Sequence, residues 1–289
     1  MPRPVLSLCA PTSILSQLIQ DGYHTVSDID ASQRPPALPA VKPPQPAQSA
    51  WSLACQLHAQ PYFSTYIPEL DTLLGGRGLP LGEVCELVAY PASEIASLCL
   101  RLCLAIQMPP GNKCAVYVDT TGSFSQSVAR KAANAFSSQQ SAVSSDSLLE
   151  NIRVLRIHSA DELHALLVAI DEQIIPNVGL LLINSITWPF IASLDIFRRQ
   201  SMHAEVAKLL AQIARKHKIG VVVVSHAKSD SSLLAKPEPM DGSVWTEISA
   251  NSLAIHHSPL TKNMCISLTH SSTYPAGMQG LPLDTLNFC

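Results

Sequence analysis

One turn in this chain stands where a phosphate-binding loop would stand, between a short apolar strand and an amphipathic helix. The predicted strand lies within residues 83–88, and the helix that opens at Ala92 repeats its apolar residues at helical spacing. Such a turn holds phosphates when its glycines let backbone N–H groups curl around them, a lysine reaches the terminal phosphates, and a Ser or Thr holds magnesium. The turn at residues 89–96 (AYPASEIA) contains neither glycine nor lysine. The sequence therefore predicts the scaffold of a phosphate-binding loop without its chemistry.

The strands and helices that would hold this turn alternate along most of the chain. A continuous apolar run at residues 179–184 is typical of a strand buried on both faces of a sheet. We predict strands at residues 84–88, 114–119, 152–157, 179–184, 219–225, 252–256 and 264–269, helices at 92–107, near 124–136, 163–174 and 206–213, and loops at 139–147 and 230–242. This alternation specifies an α/β fold with a doubly wound, mainly parallel sheet.

The first 63 residues are predicted to lie outside this sheet. Residues 1–34 hold one short helix near residues 14–19, which is too little for an independent core. Residues 35–63 are predicted to be a Pro-rich linker, extended and fairly stiff, that ends in a Trp-containing segment. Residues 64–289 then form the core domain, so the chain of 289 residues has one large domain and a short helical appendage.

Charge and hydropathy argue against several classes of protein. The net charge of −3 disfavours an autonomous nucleic-acid-binding protein, although it leaves room for a local basic patch or for DNA contact within an assembly. The first residues show no basic flank followed by an apolar run, so no secretory signal is predicted. The longest apolar runs are too short to span a bilayer, so no membrane span is predicted either.

Neither the cysteines nor the histidines are arranged as metal ligands. The eight cysteines form no C-x-x-C pair and lie mostly in apolar segments, which indicates buried free thiols in a reducing compartment. Cys99 and Cys103 share a helical face, and a disulfide or metal pair is the less favoured interpretation there. The neighbours His256 and His257 face opposite sides of a strand and cannot readily share an ion. No metal site is predicted.

Five segments between Trp51 and His270 follow one another in an order that resembles the RecA-type recombinases, in the branch of the eukaryotic recombinases and their paralogs. The most specific match is the approach to the phosphate-binding loop, and the others are a strand with its turn, the Walker B strand, a strand that ends at a phosphate sensor, and a G-x-x-W motif. The matching residues are 64–71 (STYIPELD) with 73–76 (LLGG) and 80–83 (PLGE), 116–124 (VYVDTTGSF), 183–186 (INSI), 223–226 (VVSH), and Gly242 with Trp245.

The chain departs from this family at the residues that the resemblance assigns to the nucleotide. Within the loop and the start of its helix, Ile95 stands at the lysine position, Ala96 at the magnesium-binding Thr position, and small or acidic residues replace the glycines. Thr121 replaces the glutamate that orients the attacking water, Asn184 the acid that supports magnesium, and His226 the glutamine that senses the terminal phosphate. The whole vestigial pocket comprises Ala89, Ala92, Ser93, Glu94, Ile95, Ala96, Thr121, Asn184 and His226.

These replacements act in the same direction energetically. Loss of the charge-assisted lysine contact costs on the order of 1.5–3 kcal/mol. A carboxylate at Glu94 would add roughly 4 kcal/mol of repulsion for each phosphate charge about 4 Å away at a protein-like dielectric. Magnesium would have neither of its two protein supports. We therefore expect a pseudo-ATPase without a bound cofactor, the alternatives being weak nucleotide binding through other contacts or a DNA-dependent ATPase with a degenerate loop.

A short segment within this linker, after its Pro-rich part, resembles the motif through which family members join end to end. In that motif, F-x-x-A, an aromatic ring and a small residue enter a pocket on the neighbouring core. Residues 51–54 (WSLA) match it with Trp51 for the phenylalanine and Ala54 for the alanine, and Leu57 continues the similarity. The alternative is that Trp51 packs on its own domain.

Few basic residues lie in the regions that correspond to the family's DNA-binding loops. The first region offers Arg198 and Arg199, and the second offers Lys228 and Lys236, all interleaved with acidic residues. The two arginines also suit a solvated helix start. We therefore expect direct DNA contact to be weak, and to occur within a complex.

The resemblance implies a nuclear, non-catalytic recombinase paralog. It would be a subunit of a hetero-oligomeric mediator that assists recombinase filament formation on single-stranded DNA during homologous recombination repair, with other paralogs or the recombinase as partners. An alternative from another class is a scaffold with this fold that acts outside recombination.

Overall fold

The computed structural model describes residues 18–20, 23–25, 49–52, 55, 59–90, 93–109, 111–140, 143–173, 176–191, 196–227, 244–257 and 264–280. Residue contacts divide the chain into two units, Met1–Leu57 and His58–Cys289. In the first unit, residues 18–20 and 50–52 are helical. The rest of the helix predicted near residues 14–19 lies outside the described residues, as does much of the linker predicted at 35–63.

An eight-stranded sheet forms the centre of the second unit, with the strand order β10-β9-β8-β3-β7-β6-β4-β5. Strands β3 to β8 are parallel to one another, and β9 and β10 are added at the β8 side of the sheet in antiparallel pairing. Its strands are β3 (Val84–Ala89), β4 (Cys114–Asp119), β5 (Ile152–Arg156), β6 (Val178–Asn184), β7 (Gly220–His226), β8 (Asn251–His257), β9 (Met264–Ser271) and β10 (Gly277–Gly280). A separate ribbon pairs β1 (Tyr62–Phe63) with β2 (Leu79–Pro80).

Helices cover both faces of this sheet. Their bounds are α1 (Pro68–Leu73), α2 (Ser93–Ala105), α3 (Gln126–Gln139), α4 (Ser145–Glu150), α5 (Ala160–Glu172), α6 (Trp188–Ile191), α7 (Ile196–His217) and α8 (Val244–Ile248). One apolar core includes buried residues of α1 to α4, and a second core on the other face includes those of α5 to α8. The predicted doubly wound, mainly parallel α/β fold is confirmed. Within the described ranges, no helix combines the length and the apolarity that crossing a bilayer requires.

Three local features differ from the sequence prediction. The loop predicted at residues 139–147 contains the start of α4, because Ser144 caps that helix by accepting from Ser147 N and Leu148 is buried beneath it. The ribbon strand β1 lies within residues assigned to the linker. The edge strand β10 (GMQG) was not predicted, because two glycines and one apolar residue give no alternating pattern.

A carboxylate is buried in the middle of the central strand β3. Glu86 is fully buried, and its two oxygens accept hydrogen bonds from hydroxyl groups on the strands at either side. Ser225 Oγ of β7 donates at 2.7 Å, and Ser252 Oγ of β8 donates at 2.8 Å. Both strands pair with β3 in parallel register, so the three side chains form one polar cross-link through the sheet.

We expect Glu86→Leu to destabilise the protein, because two buried hydroxyl groups then lose their acceptor. Each unsatisfied group costs about 1–3 kcal/mol, and each kcal/mol lowers Tm by roughly 2–4 °C in a domain of this size. The triple variant Glu86→Leu, Ser225→Ala, Ser252→Ala removes both sides of the cross-link and should recover most of the loss in thermal unfolding. A triple variant that is less stable than Glu86→Leu would show that the cross-link is not the source of the loss.

Candidate functional site

The parallel strands bring most of the predicted nucleotide pocket to the side of the sheet where their carboxyl ends meet. This side is the carboxyl edge, which is distinct from the outer edge formed by β10. Ala89, the last residue of β3, lies opposite His226, the last residue of β7. Asn184, the last residue of β6, lies opposite Asp119, the last residue of β4. Ligands of doubly wound folds bind outside this edge, so the sequence-predicted positions are assembled at the expected place.

Ala89 and Ile95, the buried residues on either side of the turn after β3, belong to the same apolar core. The oxygen of Ala89 accepts from Ala227 N at 2.9 Å, which ties the end of β3 to the residue after β7. Ile95, at the lysine position, is 5% exposed and belongs to the apolar core around α2. Ala96 is half-buried. Ala92 lies outside the described residues, and Ser93 and Glu94 begin α2 with side chains that are not described.

A hydrogen-bond network occupies the polar side chains at the ends of β4 and β6. Asn184 is 2% exposed, and its Nδ2 donates to the hydroxyl of Tyr117 at 2.8 Å and to Ser123 Oγ at 3.2 Å. Thr121 Oγ1 donates to the same Ser123 oxygen at 2.7 Å. Burial raises the pKa of the Tyr117 phenol, which keeps its oxygen neutral. Both amide hydrogens of Asn184 are thereby used within the protein.

Asp119 fixes the turn that carries Thr121 and Ser123. Its carboxylate accepts from the backbone nitrogens of Thr121, Ser123 and Phe124, each at 3.2 Å. Gly122 supplies the positive φ of +70° that this turn requires. Arg156 Nε of β5 lies 3.9 Å from the same carboxylate. The carboxylate of Asp119 therefore fixes the backbone of this turn.

These residues do not fit a magnesium nucleotide. Ile95, which the motif resemblance assigns to the lysine position, has an apolar side chain in the core, and the side chain of Ala96 has no oxygen to offer magnesium. Asn184 is a neutral amide whose two hydrogens go to Tyr117 and Ser123, so it offers a magnesium ion no negative charge. Thr121 uses its hydroxyl within the turn. No hydrolytic step can therefore be derived from the described residues of this edge.

His226, which the resemblance assigns to the sensor position, is held by residues that follow β6. Its backbone nitrogen donates to Thr187 Oγ1 at 3.0 Å. Its ring meets the indole of Trp188 edge-to-face, with ring centroids 5.8 Å apart at 81°. The ring is buried at 5% exposure, so His226 is packed into the edge rather than projected from it.

The predicted docking and DNA residues are described only in part. Trp51 is 79% exposed, whereas Ala54 and Leu57 lie outside the described residues. Arg199 lies on α7 and is half-buried, and the neighbouring Arg198 has an undescribed side chain. Lys228 and Lys236 lie outside the described residues. Among the described residues, no cluster of His, Cys, Asp and Glu could hold a metal ion.

Sequence reasoning missed two contacts at this edge and one buried carboxylate deeper in the sheet. Tyr117 looked like an ordinary strand residue, because its bond to Asn184 spans 67 positions. The pairing of Trp188 with His226 depends on the parallel register of β6 and β7, which no local pattern shows. Glu86 did carry a signal, because a lone carboxylate in an otherwise apolar strand must find partners if the strand is buried.

We expect Asn184→Asp to destabilise the protein rather than restore a magnesium site. The new carboxylate would be buried beside Asp119, and an uncompensated buried charge costs about 3–5 kcal/mol. Asn184→Ala is the control, because it removes the same two hydrogen bonds without adding charge and should cost less in thermal unfolding. An Asn184→Asp protein that kept wild-type stability and gained magnesium-dependent ATP binding by calorimetry would contradict the prediction.

Comparison with known proteins agrees with this arrangement of strands and turns. No curated protein matches the chain. A family model described as Rad51 matches residues 62–272, which is more than two thirds of the chain and includes every strand of the central sheet up to β9. The chain therefore belongs to the Rad51 family of RecA-type recombinases.

Proposed function

We propose that this protein is a Rad51-family subunit that does not hydrolyse ATP and that assists recombinase filament formation on single-stranded DNA from within a nuclear hetero-oligomer. Membership of the family supports a role in recombination. The proposal that the protein does not hydrolyse ATP rests on the hydrogen-bond network formed by the side chains of Asn184, Tyr117, Ser123 and Thr121. These polar groups bond one another where a nucleotide and its metal would need them.

The apolar side of the pocket supports the same proposal. To return a cation to position 95, the chain would have to bury a lysine in the core that Ile95 now fills. An unpaired buried ammonium is far more costly than one contact with a phosphate can repay. The site therefore differs from an active one by its packing as well as by its residue types, and no single substitution reverses that difference.

The exposed indole of Trp51 supports the proposed assembly. At 79% exposure it leaves most of a large apolar ring in water. Aromatic anchors of this kind often carry a large share of the binding energy at protein interfaces. Trp51 also lies in the segment that follows the Pro-rich stretch, from which a chain can reach a neighbouring core. We propose that the neighbour is another paralog or the recombinase.

We expect the purified chain to show no magnesium-dependent ATP binding in the micromolar range, and no phosphate release with or without single-stranded DNA. Isothermal calorimetry and a phosphate-release assay measure the two. Ile95→Lys, which restores the lysine, should bind no nucleotide and should melt at a lower temperature. Ile95→Val is the matched control, because it removes one methyl group and costs only about 0.5–1.5 kcal/mol.

Magnesium-dependent turnover by the wild-type chain would show that it is an ATPase with a degenerate loop. Nucleotide binding by Ile95→Lys at wild-type stability would separately show that packing around position 95 does not exclude a lysine.

We expect Trp51→Ala to weaken association with the partner by about 30- to 1,000-fold, the range that corresponds to loss of a hot-spot aromatic worth about 2–4 kcal/mol. Affinity capture of purified paralogs and recombinase by the tagged full chain, followed by titration of the one retained, measures this change. Trp51→Phe should retain part of the affinity, since the family motif has phenylalanine there.

Met278→Ala is the matched control, because Met278 is 62% exposed on β10, in the other unit of the chain. If the Trp51→Ala protein kept every association at full strength, the docking role of Trp51 would be wrong, and a scaffold outside recombination would gain support.

A further inference from the structure

The two outer strands of the central sheet differ in charge. β5 (IRVLR) carries Arg153 and Arg156, both exposed, and Val154 between them is exposed as well. β10 (GMQG) carries no charged residue, and its Met278 is 62% exposed. Within the described ranges, each of these strands pairs with a neighbour on one side only. Such an open strand edge is a template for pairing with another chain unless charge, a bend or a cover protects it.

The arginines make β5 unsuitable for pairing with a second copy of itself. Such a pair would bring Arg153 and Arg156 of both copies together, and like charges across a strand pair are destabilising. β10 brings no charge to a second copy, and its two glycines put no side chain in the way of another backbone. It also has no charge with which to select a different strand. Of the two outer strands, β10 is therefore the one that suits a second copy of this chain.

We propose that two copies of this chain associate through β10, which pairs antiparallel with its counterpart and joins the two sheets into one. The two-fold axis of such a pair is perpendicular to the sheet, so Met278 lies on the same face in both copies. Residues opposite one another in a sheet share a face, so Met278 lies opposite either its own counterpart or the counterpart of Gly280. The two Met278 Cβ atoms are then about 5 Å apart or about 7–8 Å apart.

Helix α1 adds apolar surface beside the paired strands. It packs on one face of β10, where Leu73 Cδ2 lies 3.1 Å from the position that a Cβ on Gly277 would occupy. Leu73 is half-buried at the margin of the apolar core. Because the axis is perpendicular to the sheet, the α1 helices of both copies lie on the same side of the joined strands. Four strand residues and one short helix bury less than the standard interface of about 1,600 Å², so we expect association in the micromolar range.

This association goes beyond the proposed function and does not use Trp51. An interface formed by the same strand on both copies closes at two chains and does not extend into a filament. The dimer carries two Trp51 segments, so it would hold two molecules of the proposed partner.

The test measures the mass of the full chain by sedimentation equilibrium across the micromolar range, in a Trp51→Ala background that removes association through that residue. We expect a monomer–dimer equilibrium. Met278→Lys should weaken the dimer by about 10- to 100-fold, because the two lysines then face each other across the axis. Met278→Glu should weaken it to a similar extent. An equimolar mixture of the two variants should recover the dimer, because opposite charges then meet.

Val154→Lys is the matched control. It places the same charge on an exposed apolar residue of the other outer strand, and it should dimerise as the parent does. Hydrogen exchange gives a second measurement, because pairing protects backbone amides directly. The amides of residues 277–280 should exchange more slowly in the dimer than in the monomer, and those of residues 152–156 should not change.

A chain that stays monomeric across this range would overturn the inference, as would a dimer that persists in both charged variants or a mixture of them that stays monomeric. Larger assemblies that Val154→Lys disrupts would indicate pairing of β10 with β5 in an open series, and would overturn it too. The proposed function is tested separately, because capture of the partner through Trp51 should be the same for Met278→Lys as for the wild type.

Discussion

The hydrogen bonds between the ends of β4 and β6 are the constraint on which the rest of this site depends. Thr120 N donates to the oxygen of Asn184 at 2.9 Å, and its hydroxyl both donates to Ser185 O and accepts from Ser185 N. The two strands thus stay joined beyond their last paired residues. Because Asn184 cannot move away from the turn after β4, its amide remains within reach of Tyr117 and Ser123.

The side chains at this joined edge bond to groups within the chain. Buried polar groups are costly unless they are hydrogen-bonded. In this protein Asp119 accepts from the backbone nitrogen of Thr121. The side chain of Asn184 donates to Tyr117, and that of Thr121 donates to Ser123. Deeper in the sheet, Glu86 accepts from Ser225 and Ser252. The side chains of Asp119, Asn184, Thr121 and Glu86 therefore find hydrogen-bond partners within the chain.

Much of the fold could be predicted from the sequence, because apolar runs and helical spacing are local signals. The strand at Cys114–Asp119 was located to the residue, and the apolar positions of α5 fixed that helix. Features that depend on strand register could not be predicted. The bond from Asn184 to Tyr117 joins residues on two strands, and the ribbon of β1 with β2 depends on a pairing of two residues on each side. The short helix α4 lay below the length at which periodicity is informative.

The candidate site was predictable in its positions but not in its contacts. The motif resemblance located Ala89, Asn184 and His226 at strand ends, and parallel pairing then placed them on one edge. The resemblance could not show whether the side chains at these positions make contacts of their own, because a sequence gives the residue types and not their hydrogen-bond partners. Here the side chain of Asn184 turns inward to Tyr117, and the buried ring of His226 packs against Trp188, whose own ring is 45% exposed.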